Sequence, residues 1–193
     1  MTDSNFCFFT GVVSDTHETI KTDVVKPVVK LDLYSNETKE WDSEIRVVFV
    51  ENEDARKIKG ISIGDIIFVF GKLAYSDDFG YYMYADSFVI LQKNKLNLSL
   101  MCCRVAYFEF CSYTNCIQLT GEVCNISKKC ASIMVDRSKN VRGEIVEHDL
   151  IPIYIEVGED QFQNGDSVRF LGGIEKNMAT GTLVKTACFA YEQ

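Results

Sequence analysis

Runs of β-branched and aromatic residues, separated by clusters of turn-forming residues, dominate the first half of the chain. Such runs are typical of β-strands. They predict five strands, at residues 6–13, 28–34, 45–50, 65–73 and 81–91. A short helix is predicted only between the third and fourth strands, at about residues 52–60. Five strands with one short helix in this place are typical of an OB-fold barrel.

The second predicted strand shows the alternation most clearly. Its odd positions are apolar, whereas Lys30, Asp32 and Tyr34 occupy the even positions. Because successive side chains of a strand point to opposite faces, we expect the odd positions to face a core. The three even residues then share the opposite face.

The second half of the chain repeats the same order of elements. Segments 5–13, 29–35, 45–50, 64–71 and 81–91 match segments 115–123, 132–138, 151–157, 165–172 and 181–191. Short matches in a conserved order indicate an internal repeat. We therefore predict an all-β protein of two tandem five-stranded OB-fold barrels, each with at most one short helix. The predicted domains span residues 1–95 and 115–193.

The segment between the predicted barrels, residues 96–114, does not have the composition of a flexible tether. Residues 96–100 alternate like a strand, and Tyr107, Phe108 and Phe110 add large apolar side chains. We interpret the segment as an ordered connector that packs between the barrels. A partner-binding strand or a dimer interface stays open as the alternative.

Composition narrows the class of protein further. The chain has 193 residues, of which 47% are hydrophobic, and a formal net charge of −8. This excludes a uniformly basic nucleic-acid coat but not a locally basic groove. We see no apolar run of about 20 residues and no signal peptide, so we expect an intracellular protein without a membrane span. We therefore interpret its eight cysteines as reduced thiols.

Residues 28–73 resemble bacterial-type single-stranded DNA-binding proteins. The matching elements are the strand at 28–35, Trp41, Arg46-Val47-Val48, Gly64-Asp65 and Gly71-Lys72-Leu73. The resemblance covers about the first 90 residues and implies an OB-fold. It also implies non-catalytic, largely sequence-independent binding of single-stranded DNA in replication, recombination or repair.

Binding of a single strand needs aromatic rings that stack on bases and cations that follow the phosphates. In an OB-fold these groups gather on the second and third strands and on the adjoining loops. The candidates in the first half are Trp41, Tyr34, Lys30, Arg46, Lys26, Tyr75, Phe79 and Tyr82. Trp41 stands in a polar run where a core residue is not expected, so we expect its ring to be exposed.

Part of this aromatic set has a structural interpretation. Alternation requires that some of Tyr81, Tyr82 and Tyr84 face the core, and Asp77 and Asp78 disfavour phosphate contact in the same hairpin. We predict the turn of this hairpin at Phe79-Gly80.

The second half offers a basic cluster at the positions where a phosphate path would pass. Its members are Lys128, Lys129, Arg137, Lys139 and Arg142. Solvated loop residues are the alternative interpretation.

Two motifs of enzymes and metal proteins receive little support, and we expect neither catalysis nor a cofactor. Ser62 lies in a Gly-x-Ser-x-Gly pattern, but its predicted setting runs from helix into strand, the reverse of a nucleophile elbow. The cysteines at 111, 116, 124 and 130 contain no Cys-x-x-Cys pair. Zinc therefore stays a minor alternative to free thiols.

The rival hypothesis for the whole chain is a protein-interaction scaffold whose OB domains hold a partner chain. The acidic charge and the apolar connector favour it. Protein partners from replication or repair, and self-association into a homo-oligomer, stay open under either hypothesis.

Overall fold

A computed structural model describes residues 4–16, 19–21, 25–33, 43–49, 58–93, 115–127, 130–139, 145–154, 162–177 and 181–191. Every element bounded within these ranges is a β-strand. The first six are β1 (Ser4–Asp15), β2 (Thr19–Lys21), β3 (Val25–Leu33), β4 (Ser43–Phe49), β5 (Ile66–Ser76) and β6 (Gly80–Gln92). The other five are β7 (Cys116–Cys124), β8 (Cys130–Lys139), β9 (Ile145–Tyr154), β10 (Ser167–Asn177) and β11 (Gly181–Tyr191).

Five strands of the first half close into a barrel. Their order is β1-β5-β6-β4-β3, and β3 pairs back onto β1. The β4–β6 pair is parallel, whereas β1–β5, β1–β3 and β3–β4 are antiparallel. Inward side chains such as Phe9, Leu31, Ile67 and Met83 are fully buried and form the core.

The five strands predicted in the first half are all present, with small shifts of their ends. The alternation in β3 is confirmed, because Val29, Leu31 and Leu33 are at most 1% exposed. The pattern did not predict β2, a three-residue strand that pairs with the start of β3. Most of the predicted helix, together with Tyr34, lies outside the described residues.

The strands of the second half pair in the corresponding order. It runs β10-β11-β9-β8-β7, with an additional pairing between β10 and β7. The β9–β11 pair is parallel, as is the β4–β6 pair. Leu119, Ile133, Ile151 and Phe170 are fully buried inside this set.

The glycine before β5 and the glycine before β10 make the same turn. Gly64 has a φ of 88° and Gly165 a φ of 97°, values that side chains with a Cβ rarely adopt. The Gly64 amide donates to the Val13 carbonyl at 2.7 Å, and the Gly165 amide donates to the Val123 carbonyl at 2.9 Å. The predicted match between these two turns is confirmed.

The aspartate that follows each glycine holds the turn with its side chain. The Ser62 amide donates to Oδ2 of Asp65 at 2.9 Å, and the Gln163 amide donates to Oδ2 of Asp166 at 2.8 Å. Ser62 therefore lies in the turn that enters β5, which agrees with the rejection of a nucleophile elbow.

A close backbone approach in each half shows which residues of the two halves correspond. A Cβ built on Gly11 would lie 2.7 Å from the Asp32 carbonyl oxygen, and one built on Gly121 would lie 2.1 Å from that of Met134. Asp32 therefore corresponds to Met134. The sequence match of segment 29–35 with 132–138 was wrong by one residue. A one-residue slip exchanges the two faces of a strand, and with the corrected register the buried Leu31 corresponds to the buried Ile133.

Contacts group the residues into two compact units whose bounds differ from the sequence halves. One unit comprises Cys7–Lys72 and Tyr82–Asn115, and the other Met1–Phe6, Leu73–Tyr81 and Cys116–Gln193. The predicted domain bounds stay a prediction. Within the described ranges, no helix is long and apolar enough to cross a membrane.

Polar contacts tie the short pieces of the second unit to its main body. Ser4 Oγ donates to Thr120 Oγ1 at 2.9 Å, and the Tyr81 hydroxyl donates to the Pro152 carbonyl oxygen at 2.7 Å. Both contacts join residues more than 70 positions apart in sequence.

Candidate nucleic-acid interface

The outer face of β3, β4 and β6 brings three of the predicted site residues into one row. Lys30 pairs with Arg46 across β3 and β4, and Arg46 pairs with Tyr82 across β4 and β6. All three are partly exposed, whereas their inward neighbours are buried. We call Lys30 and Arg46 the cationic row, and Tyr82 lies next to it. The sequence predicts Lys30 and Arg46 on these two strands and Tyr82 in the hairpin, and the register shows that the three are neighbours.

Two tyrosine rings cover an apolar strip beside this row. Tyr82 and Tyr84 meet edge to face, with ring centroids 5.3 Å apart and an interplanar angle of 80°. Both pack against Val28 and Val48, which are almost fully buried although they lie on the outer face. Packing of this kind limits ring motion and lowers the entropy that a stacking base would have to remove.

Carboxylates border the cationic row on its other side. Glu44 is the cross-strand partner of Asp32, and these two form the next pair on the same face after Lys30 and Arg46. The Lys30 Nζ lies 2.7 Å from Oε2 of Glu44, and their side chains are 25% and 44% exposed. The face therefore has an acidic pair, a cationic pair and an apolar strip as successive cross-strand rows.

Tyr84 shares this face but is absent from the predicted set of site residues. It lies two positions after Tyr82, so strand periodicity places both rings on one face. That spacing was the available signal. Lys26 lies in β3 opposite Ile20, and Tyr34 and Trp41 lie outside the described residues.

The predicted aromatic residues of the hairpin between β5 and β6 are divided between the two compact units. Tyr75 and Phe79 belong to the other compact unit, where Tyr75 meets Tyr81 edge to face at 5.1 Å. Phe79 is 42% exposed at the turn, and Gly80 has a φ of 69°, which confirms the predicted turn. The residue of β6 that is fully buried here is Met83. Tyr81, Tyr82 and Tyr84 are each partly exposed.

The corresponding outer face of β8 and β9 has a different composition. Ser132 pairs with Pro152, and Met134 pairs with Leu150, which is 47% exposed. No lysine or arginine lies at these four described positions.

The predicted basic cluster of the second half is only partly within the described residues. Arg137 and Lys139 lie in the last part of β8, whereas Lys128, Lys129 and Arg142 lie outside the described ranges.

Two of the cysteines considered for zinc have perturbed acidity. Burial raises the pKa of the Cys116 thiol. Burial and then the Glu122 carboxylate raise the pKa of the Cys124 thiol, so both resist becoming thiolates. Among the described residues, no three His, Cys, Asp or Glu side chains are grouped closely enough to hold a metal ion. Cys111 lies outside them.

Comparison with known proteins supports the fold and gives no closer assignment. No family model matches the chain, and no curated protein matches it in sequence. The wild-type single-stranded DNA-binding protein of Thermus aquaticus aligns with a TM-score of 0.58 at 14% identity, over 100% of this chain and 95% of the other. A deletion variant of that protein gives 0.59 and 14%, over 100% and 96%. The strand order and this likeness establish an OB-fold barrel.

Proposed function

We propose that the protein binds single-stranded DNA with little sequence preference through the outer face of β3, β4 and β6, without catalysis. The cationic row beside the paired tyrosines is the observation on which the proposal depends. Lys30 and Arg46 would contact phosphates, while Tyr82 and Tyr84 would stack on bases. Neither contact reads a base edge, so sequence preference should be weak.

The fold likeness to single-stranded DNA-binding proteins supports this proposal, and replication, recombination or repair is the corresponding setting. We further propose that β7–β11 form a second OB barrel in tandem with the first. The corresponding strand order and the shared Gly-Asp turn support the duplication.

A titration of fluorescein-labelled oligothymidine, followed by fluorescence polarisation, tests the main proposal. We expect binding at low salt whose affinity falls linearly on a log–log plot against salt concentration, because bound phosphates release counterions. Duplex DNA of the same length serves as the comparison and should bind more weakly. Absence of binding at low salt would show that the proposal is wrong.

Trp41 extends the proposed site beyond the described residues. We predict that Trp41→Ala weakens oligothymidine binding by about 1–3 kcal/mol while the fold survives, since stacking on one base is worth that much. Polarisation titration measures the affinity, and circular dichroism checks the fold. Unchanged affinity would remove Trp41 from the site.

A protein-interaction scaffold is the second candidate function. The observation that favours it is the apolar pair Met134 and Leu150, next to which Ser132 and Pro152 occupy the positions that correspond to Lys30 and Arg46. Under this hypothesis the protein would fail to bind oligothymidine even at low salt, so the same titration separates the two candidates.

A further inference from the structure

On the premise of the proposed single-strand site, we propose that Glu44 is a built-in competitor for DNA phosphate at Lys30. The carboxylate would hold the lysine when the site is empty and would yield to a phosphate when DNA binds. Glu44 would thus set how tightly and how reversibly the face binds, without contacting the nucleic acid favourably itself.

Geometry supports the exchange. Glu44 Oε2 lies 2.7 Å from Lys30 Nζ, which is direct ion-pair contact. A phosphate oxygen that binds Lys30 through the same ammonium group is repelled by this carboxylate. The Glu44 side chain is 44% exposed, so it has room to swing into solvent when displaced.

Asp32 places a second carboxylate next to this ion pair. Asp32 lies directly opposite Glu44 on the neighbouring strand, and like charges in such a pair repel each other. Lys30 lies two positions from Asp32 on β3 and offsets this repulsion. The folded barrel therefore favours Lys30 in contact with carboxylate until another anion replaces it.

The exchange predicts that removing the carboxylate strengthens binding. Glu44→Gln keeps the size of the side chain but lets Lys30 contact phosphate without competition. We expect oligothymidine to bind about 3- to 5-fold more tightly at low salt, corresponding to a partly exposed ion pair. The slope of log K against log salt should steepen by up to about 0.7, the value for one additional single-strand phosphate contact.

Two further variants show whether the effect passes through Lys30. Glu122→Gln removes the same charge from β7, where Glu122 is exposed. Because Glu122 lies outside the proposed face and exposed charges are screened by salt, the affinity should stay within about 1.5-fold of the wild-type value. In a Lys30→Met background, Glu44→Gln should lose its gain in affinity and in salt slope.

The outcomes separate this inference from the proposed function. If the wild-type protein does not bind oligothymidine, the proposed function is wrong. If the wild type binds but Glu44→Gln gains nothing, only the competitor role of Glu44 is wrong. An equal gain in the Lys30→Met background would also overturn it, because the effect would then be a general field. Thermal melts of each variant confirm that the folded state is being compared.

Discussion

The outer face of β3 and β4 and the outer face of β8 and β9 occupy corresponding positions but differ in chemistry. By register, Lys30 corresponds to Ser132, and Arg46 corresponds to Pro152. The acidic partner Glu44 corresponds to the exposed Leu150. At these positions the first strand set carries charged side chains, whereas the second carries Ser132, Pro152 and Leu150.

The internal features of the two sets, in contrast, are shared. Each has a glycine with positive φ, which precedes β5 in the first set and β10 in the second. An aspartate follows and accepts a hydrogen bond from the amide three positions earlier. Buried Leu31 and Ile133 correspond as well. The turn and the buried core position are therefore shared by both strand sets, whereas the side chains at the compared outer positions differ.

The shared features should respond alike, and the largest expected effect is on stability. Gly121→Ala would bring a Cβ to 2.1 Å from the Met134 carbonyl oxygen, and Gly11→Ala would bring one to 2.7 Å from that of Asp32. We expect each to lower the free energy of unfolding by about 1–3 kcal/mol through overpacking, with the larger loss at Gly121. Urea denaturation measures both. A neutral result at Gly121 would contradict the close approach of β7 and β8.

The faces should respond differently, beginning with the tyrosines. Tyr82→Leu keeps an apolar cover over Val28 and Val48 but removes the aromatic ring. We expect oligothymidine binding to weaken by about 1–3 kcal/mol. Tyr154→Leu makes the same replacement of a tyrosine in β9. It is the matched control and should leave the affinity unchanged. Equal losses in both variants would erase the proposed difference between the faces.

Arg46 tests the cationic part of the same face. Arg46→Gln should make the slope of log K against log salt shallower by about 0.7, because one phosphate contact is lost. Arg169→Gln removes an exposed arginine from β10 and serves as the control. Polarisation titrations at four salt concentrations give both slopes, and identical slopes would place Arg46 outside the phosphate path.

Tyr81 gives the smallest effect, and it concerns stability alone. Tyr81→Phe removes the hydroxyl that donates to the Pro152 carbonyl oxygen, at an expected cost of about 1 kcal/mol. Affinity for oligothymidine should not change, since this tyrosine lies outside the proposed face. Thermal melting and polarisation together check the prediction, and a selective loss of binding would reassign Tyr81 to the site.

Much of the placement of the proposed site residues was predictable because it depends on local periodicity. The alternation in β3 placed Lys30 on the outside, and the expected OB strand order brought Arg46 beside it. Tyr84 was left out of the predicted set although it lies two residues after Tyr82 on the same strand face. The ion pair between Lys30 and Glu44 depends on cross-strand register, which the sequence pattern of one strand does not contain.

The sequence by itself determined the main strands, the inward and outward faces of β3 and the repeated order, because these follow from side-chain periodicity and turn-forming residues. Tertiary structure alone decided the one-residue register between the halves, the burial of Val28 and Val48 beneath tyrosine rings, and the bond from Tyr81 to Pro152. These features join residues far apart in the chain. Their geometry is set by how strands close into a barrel, which no local pattern specifies.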